Sequence, residues 1–464
     1  MYKPLARRVF IGLCFGIGLS VSLSQTIKAV QRLKVKTNKH YLFKEDGKPF
    51  FYLGDTAWEL FHRLNREEAL IYLQDRVRKG FTVIQAVVLA ELDGLKQPNP
   101  YGYLPLRNND PTKPNEGYFQ HIDYIVNKAE EMGLYIGMLP TWGDKWNKKW
   151  GVGPEIFTPT NAEAFGLYLG KRYNNKPIIW ILGGDRNPEN DTHLAIIRAM
   201  AKGLKKGDGG NHLMTYHPQG GSNSATWFQN DDWLDFNMFQ SGHKAINLPN
   251  YEITSENYFL NPPKPTLDGE PRYEDHPIDW KPENGWFNEF DVRQAAYWSM
   301  LAGACGHTYG NHNIWQMWEP KKKPISAART PWRQALRHPG AIQMGYLRRL
   351  FESRPFIKLV PDQSLIISDV GEGMDHLRAA CAEDGSFAFV YTPTGKPINV
   401  KLGKIKGTTV KAYWYDPRKG IAKQIVELPS SGTREFIPPT RGRGNDWLLV
   451  LDNAAMNFSA PGVD

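Results

Sequence analysis

The stretch IIWILGGDRN, residues 178–187, sets the frame for reading the rest of the chain. It opens on five apolar residues, three of them isoleucine, and so reads as a strand buried on both faces. Two glycines follow, then Asp185, Arg186 and Asn187, an abrupt change to polar residues where the strand runs out. The same succession recurs at FYLGDTAW (51–58), FTVIQAVVLA (81–90), LYIGMLPTWG (134–143) and HLMTYHP (212–218). It continues at LDFNMFQSGH (234–243), PTLDGEPRYE (265–274) and HTYGNHNIW (307–315). Segments with helical spacing lie between several of them, at 65–79, 118–132, 161–173, 191–205 and 290–304. Buried strands alternating with helices indicate a parallel sheet covered on both faces. Eight such strands predict a closed (β/α)8 TIM barrel of the α/β class rather than an open Rossmann sheet. The first strand supplies no G-x-G-x-x-G fingerprint for the latter.

Polar and aromatic residues gather where each strand ends. In order they are Asp55 and Trp58, Glu91 and Asp93, Trp142 and Asp144, Asp185 and Asn187, and His217. Gln240 ends the sixth strand, Glu270 and Arg272 the seventh, Asn311 and Trp315 the eighth. No one of these residues is informative alone. Their recurrence is, because the C-terminal rim of such a barrel is where its chemistry sits.

Working outward, the texture changes after Leu350. Short alternating runs at 386–392, 410–415 and 446–451 are separated by turn signals at 383–385, 393–397 and 416–420, the pattern of a small antiparallel β-sandwich. At the other end, Lys3, Arg7 and Arg8 precede an apolar run over 9–23, which matches a secretory signal better than a membrane span. The expected organisation is a signal peptide over 1–30, a catalytic barrel over 31–350 and a sandwich over 351–464. An exported, periplasmic or extracellular protein follows, without stable membrane insertion once the signal is removed. An uncleaved anchor is the competing reading of the same run.

A 41% apolar and 23% charged composition describes a folded globular chain of 464 residues, long enough for two cores. Aromatic residues make up 12%, with 15 Trp, which suits stacking on sugar faces as well as core packing. The formal charge of +9 is spread along the chain rather than blocked, so a solvated basic surface is expected and nucleic acid is not. Attraction to an acidic polysaccharide remains compatible with it. Beyond Cys14 in the apolar run, only Cys305 and Cys381 are present, in different domains, and buried free thiols are expected. No C-x-x-C pair, H-E-x-x-H helix or calcium loop occurs, so no metal or cofactor is expected.

Two acids at the ends of facing strands make one class of chemistry prominent. Glycosidic bond hydrolysis needs one carboxyl held protonated to donate to the leaving oxygen and another held ionised. Asp185, after Gly183 and Gly184, and Glu270, after Gly269, stand on the fourth and seventh strands, nearly across the barrel mouth. That placement suits either a close nucleophile pair or a wider inverting pair. Arg272 and Tyr273 are placed to keep Glu270 ionised. Each acid alone is equally a cap or a salt-bridged carboxylate, and Glu91, Asp55, Asp144 and Asp268 compete for the roles. Trp58, Trp142 and Trp315 are candidate sugar platforms, though a Trp beside a barrel strand is as often core packing. Asp55, Asn187, His217, Gln240, Arg272 and Asn311 are candidate hydroxyl-binding residues.

Residues 35–350 resemble the glycoside hydrolase family whose founding activity is β-apiosidase. The carrying stretches are FYLGDTAWELFHRLNREEALIYLQDRVRKGF, IIWILGGDRNP, PTLDGEPRYE and GHTYGNHNIWQMW. From about residue 355 the chain resembles the small β-sandwich, once labelled collagen-binding, that follows the barrel in that family. The resemblance implies a retaining mechanism with Asp185 as general acid/base and Glu270 as nucleophile. It also implies a plant cell-wall substrate, apiose on pectic side chains. Fold and acid pair alone leave open an endo-acting β-glucanase or a non-catalytic carbohydrate-binding protein. A metal-dependent hydrolase would draw on His217, His243, His307 and His312, with no ligand pair on the first strand.

Overall fold

The structure is a computed structural model that describes residues 1, 30–36 and 39–463; the proposed signal over 1–30 lies almost wholly outside them. Eight strands form where the apolar runs place them. They are β1 (Tyr52–Thr56), β2 (Val83–Leu89), β3 (Tyr135–Thr141), β4 (Ile178–Gly183), β5 (Met214–His217), β6 (Asn237–Gln240), β7 (Thr266–Asp268) and β8 (Gly306–Tyr309). Six of them pair in parallel as one curled sheet in the order β8-β1-β2-β3-β4-β5. Side chains alternate across it as period 2 requires. Ile179 and Ile181 turn to the inner core, and Ile178, Trp180 and Leu182 turn to the helix layer.

The continuous eight-stranded ladder expected from the sequence is not formed. β6 and β7 pair in parallel with each other in a separate sheet. On the β5 side the reason is that the chain after β5 folds back, so that Ser222–Asn223 pairs antiparallel with the end of β6 and takes an edge β5 would fill. Single backbone-to-backbone bonds still tie the two sheets together, from Asp235 N–H to Met214 O (2.9 Å) and from Cys305 N–H to Thr266 O (3.0 Å).

Helices cover the outside of the sheets. They are α1 (Arg66–Arg78), α2 (Glu116–Glu131), α3 (Pro159–Tyr173), α4 (Asp191–Asp208), α5 (Asn250–Tyr258), α6 (Glu289–Leu301) and α7 (Pro339–Glu352). α1 starts at a capping box in which Asn65 and Glu68 satisfy each other's backbone N–H, and α4 ends on Gly209 in the left-handed conformation.

The C-terminal part is a six-stranded antiparallel sheet with a two-stranded ribbon beside it. Its strands are β9 (Leu359–Pro361), β10 (Arg378–Ala382), β11 (Phe387–Thr392), β12 (Ile398–Lys401), β13 (Thr409–Asp416), β14 (Ile421–Pro429), β15 (Thr433–Phe436) and β16 (Trp447–Asn453). The ribbon is β12 with β15, and the large sheet runs β9-β10-β11-β16-β13-β14. One face of the large sheet, with Phe387, Phe389, Tyr391, Leu448 and Val450, joins the core of α6 and α7. The other, with Ala388, Val390, Leu449 and Leu451, packs on Ile398, Val400 and Phe436 of the ribbon. Buried ion pairs reinforce the first face, Arg293 Nη2 to Asp446 Oδ1 at 2.7 Å and Arg354 Nη2 to Asp452 Oδ2 at 2.6 Å. Cys305 and Cys381 are both buried and free.

Candidate active site

A cavity of about 800 Å³ opens at the strand ends, and every residue lining it falls between Trp58 and Ser326. Asp185 and Glu270 both line it. The turn that delivers Asp185 is tight. Gly183 and Gly184 have φ of 95° and 84°, and a Cβ at Gly184 would lie 2.8 Å from the Gly143 nitrogen, so β-carbons are excluded on two grounds. Asp185 itself is left-handed at φ 56°. Such a conformation in a non-glycine residue persists only where neighbours enforce it. Here Asp185 N–H donates to His217 Nδ1 at 3.1 Å, and Arg186 Nη1 donates to Asp185 O at 2.7 Å and contacts Oδ2 at 3.2 Å.

His217 connects the two acids. Because its Nδ1 accepts from Asp185, the ring proton sits on Nε2, which lies 3.1 Å from Glu270 Oε2. That contact has the distance of a hydrogen bond without its alignment. His243 Nε2 lies 3.0 Å from the other oxygen, Oε1. Tyr273, whose hydroxyl accepts from Trp58 Nε1 at 3.1 Å, also reaches Glu270. Across the lumen, Gln85 Nε2 donates to Gly269 O at 3.1 Å and fixes the backbone just before Glu270.

These surroundings push the two carboxyls apart. Burial first, then the charge of Glu270, raise Asp185 to about 7, against the opposing pull of Arg186, His217 and Gln240. Burial also acts to raise Glu270, but the close approach of His217 and the hydrogen bond and attraction of His243 outweigh it and hold the group at about 2. At neutral pH one carboxyl is substantially protonated and its neighbour is ionised, the division that acid/base chemistry needs. Glu91 lines the same cavity, and burial followed by the charges of Asp185 and Asp144 raises it to about 8.

The remaining sequence candidates separate clearly. Trp58, Trp142, Gln240 and Trp315 line the cavity, and Trp142 Nε1 and Gln240 Oε1 are buried there without a protein partner. His217 packs against Trp58 and Trp142. Asn187 sits behind the wall, donating to Ser222 Oγ (2.8 Å) and accepting from Gln219 N–H (3.0 Å), and so braces a lining loop. Asp55 does not face the cavity: its carboxylate is paired with Arg76 and accepts from Tyr72 on α1. Asn311 caps a short turn through Asn313 N–H (3.0 Å) and donates to His338, also away from the cavity. Arg272 is the clearest departure. It makes no ion pair with Glu270 and lies buried over Trp298, donating to Leu248 O at 3.3 Å. Two histidines and a tyrosine do what was expected of it. Among the competing acids, Asp144 pairs with Lys145 at 2.7 Å, and Asp268 accepts from Ser241 Oγ at 2.7 Å.

Sequence reasoning missed the role of His243, although it closes the sixth apolar run after a glycine, where the rim pattern would place it. Trp150 and Trp280 were missed outright. Both line the cavity from loops with no strand-end signal, and they remain 58% and 48% exposed.

Residues 36–358 match the family model "Apiosidase-like, catalytic domain", and residues 360–452 match "Putative collagen-binding domain of a collagenase". One similar solved structure, named as a glycoside hydrolase, is 37% identical with a TM-score of 0.85, covering 92% of this chain and 97% of its own. Another, a family 5 glycoside hydrolase from Bacteroides vulgatus, is 35% identical with a TM-score of 0.86, covering 93% and 95%. A third from the same organism is 15% identical at a TM-score of 0.65, over 91% and 82% of the two chains, a likeness of fold alone. No curated protein matches the chain.

Proposed function

The chain belongs to the apiosidase-like family of glycoside hydrolases, and on that premise we propose that it is an exported retaining hydrolase removing apiose from pectic side chains. In this reading the two parallel sheets act together as the eight-stranded barrel over 31–350, and the antiparallel sheets form a separate domain over 351–464. Asp185 is the general acid/base and Glu270 the nucleophile. The observation that carries the assignment is the opposed setting of two carboxyls in one cavity, one at about 7 and the other at about 2.

The steps follow from those settings. Protonated Asp185 donates to the glycosidic oxygen while a Glu270 oxygen attacks the anomeric carbon. The C–O bond to the leaving group breaks and a glycosyl ester forms. Asp185, now ionised, takes a proton from water as that water attacks the same carbon and releases Glu270. His217, His243 and Tyr273 hold the Glu270 carboxylate in place and favour its ionised form, which suits a nucleophile that must regenerate. Glu91 is the rival acid. The strongest influences on it after burial are Asp185 and Asp144, whereas Asp185 responds directly to Glu270, which favours Asp185 as the partner of the nucleophile. The basic charge of +9 is consistent with approach to an acidic polysaccharide.

Reducing-sugar release from pectic and other plant polysaccharides tests the proposal. Apiose release is expected from the wild type, with Asp185→Ala and Glu270→Ala each lowering it by about 100-fold or more. Turnover near the wild-type rate in both variants would sink the site. Release of a different sugar would keep the site and discard the apiose.

A further inference from the structure

Trp150 is an exposed indole on a loop built to hold it still. Lys149, just before it, is left-handed at φ 40°, a cost that a loop of free choice would avoid. A Cβ at Gly151, just after it, would fall 2.2 Å from the Asp144 Cβ, so the loop lies directly on that buried side chain. Arg186 reaches under the loop, donating from Nε to Asn147 O at 3.0 Å and from Nη2 to Lys148 O at 3.3 Å. Gly153 N–H donates to Asp144 Oδ2 at 2.8 Å, and Lys149 pairs with Glu189. The Arg186 guanidinium also lies 4.0 Å from the indole centroid, covering one ring face and leaving the residue 58% exposed at the cavity.

Arg186 is the residue after Asp185 and contacts its carboxylate at 3.2 Å, so the indole stands on the side of the acid rather than of Glu270. Trp280 is its counterpart. It is left-handed at φ 62° and packs edge-on against His243, which holds Glu270. We propose that Trp150 is the stacking platform for the sugar ring on the leaving-group side, a pyranose whose C–H face lies on the free face of the indole. This rests on Asp185 being the acid. It deepens that reading by making a ring beyond the scissile bond part of what the site recognises.

The test compares two substrates sharing one glycone: a β-apiosyl galacturonide, with a sugar ring in the leaving group, and β-apiosyl fluoride, with none. Trp150→Ala should lower kcat/KM on the galacturonide about 10-fold and change the fluoride less than about 2-fold. Trp280→Ala should lower both alike. Equal losses in Trp150→Ala, or no loss on the galacturonide, would overturn the proposal. If the wild type cleaves neither substrate, the apiose reading has failed, and the platform is decided by ¹⁵N-indole NMR of the Glu270→Gln enzyme. Digalacturonate, cellotriose and mannotriose are then the probes. A shift of the Trp150 resonance, assigned by its loss in Trp150→Ala, upholds the platform. Absence of any shift with all three refutes it.

Discussion

Replacing Asp185 with asparagine should make the protein more stable and inactive, with the gain in stability tied to pH. Folded Asp185 holds its proton up to about pH 7, whereas in an unfolded chain an aspartate ionises near 3.8. Between those values the native state binds more protons than the unfolded state, so this group's contribution to stability falls as pH rises, and above about 7 the whole penalty is in place. At 1.36 kcal/mol per pH unit, the gap from 3.8 to about 7 corresponds to about 4 kcal/mol. That figure is an upper limit, because 18% of the side chain meets solvent. Asparagine keeps the size and cannot ionise. Urea denaturation of both proteins at pH 8 and pH 4 reads the difference directly. The variant should be more stable at pH 8 by up to about 4 kcal/mol, the advantage shrinking towards zero at pH 4, while glycoside turnover is lost at both. A variant no more stable at pH 8, or one whose gain is the same at both pH values, would refute the argument that the site penalises ionised Asp185.

The same settings predict that wild-type kcat/KM falls above about pH 7, as Asp185 loses its proton; a pH–rate profile already declining near pH 4 would contradict this. His243→Ala removes the partner of Glu270 Oε1, so the Glu270 carboxyl should rise from about 2 and carry the acidic limb of the profile upward with it. The accompanying loss in kcat/KM is expected to be about 10-fold or more, and an unmoved acidic limb would count against the role of His243. Arg293→Ala leaves the buried Asp446 without its cation and with only the Tyr391 hydroxyl as a side-chain partner, and should cost about 3–5 kcal/mol in chemical denaturation while leaving KM unchanged. A cost under about 1 kcal/mol would mean that this ion pair does not hold the two parts together.

Much of the fold was legible because period and burial are local properties of a sequence. Each of β1 to β8 coincides with an apolar run ending in polar residues, and the alternation in β4 follows from side-chain geometry alone. The break in the ladder was not legible, since Ser222–Asn223 carries no strand signal and pairs only because the chain reverses beside β6. Within the cavity, Asp185 and Glu270 could be picked out by glycines and strand ends. The surroundings of Arg272, Asp55 and Asn311 could not, because adjacency in the chain says nothing about which way a side chain turns. Arg272 is two residues from Glu270, yet it turns away from that carboxylate and lies over Trp298.

The strand and helix order, the placing of Asp185 and Glu270 at strand ends and the change of texture after Leu350 are written in spacing and composition. Only the tertiary structure decided which partners surround those carboxyls: His217 from β5, His243 after β6 and Tyr273 after β7 converge on Glu270 from three separate segments. The difference between a carboxyl at about 7 and one at about 2 depends on burial and on charges a few ångströms away. Distances of that kind exist only after the chain has closed on itself.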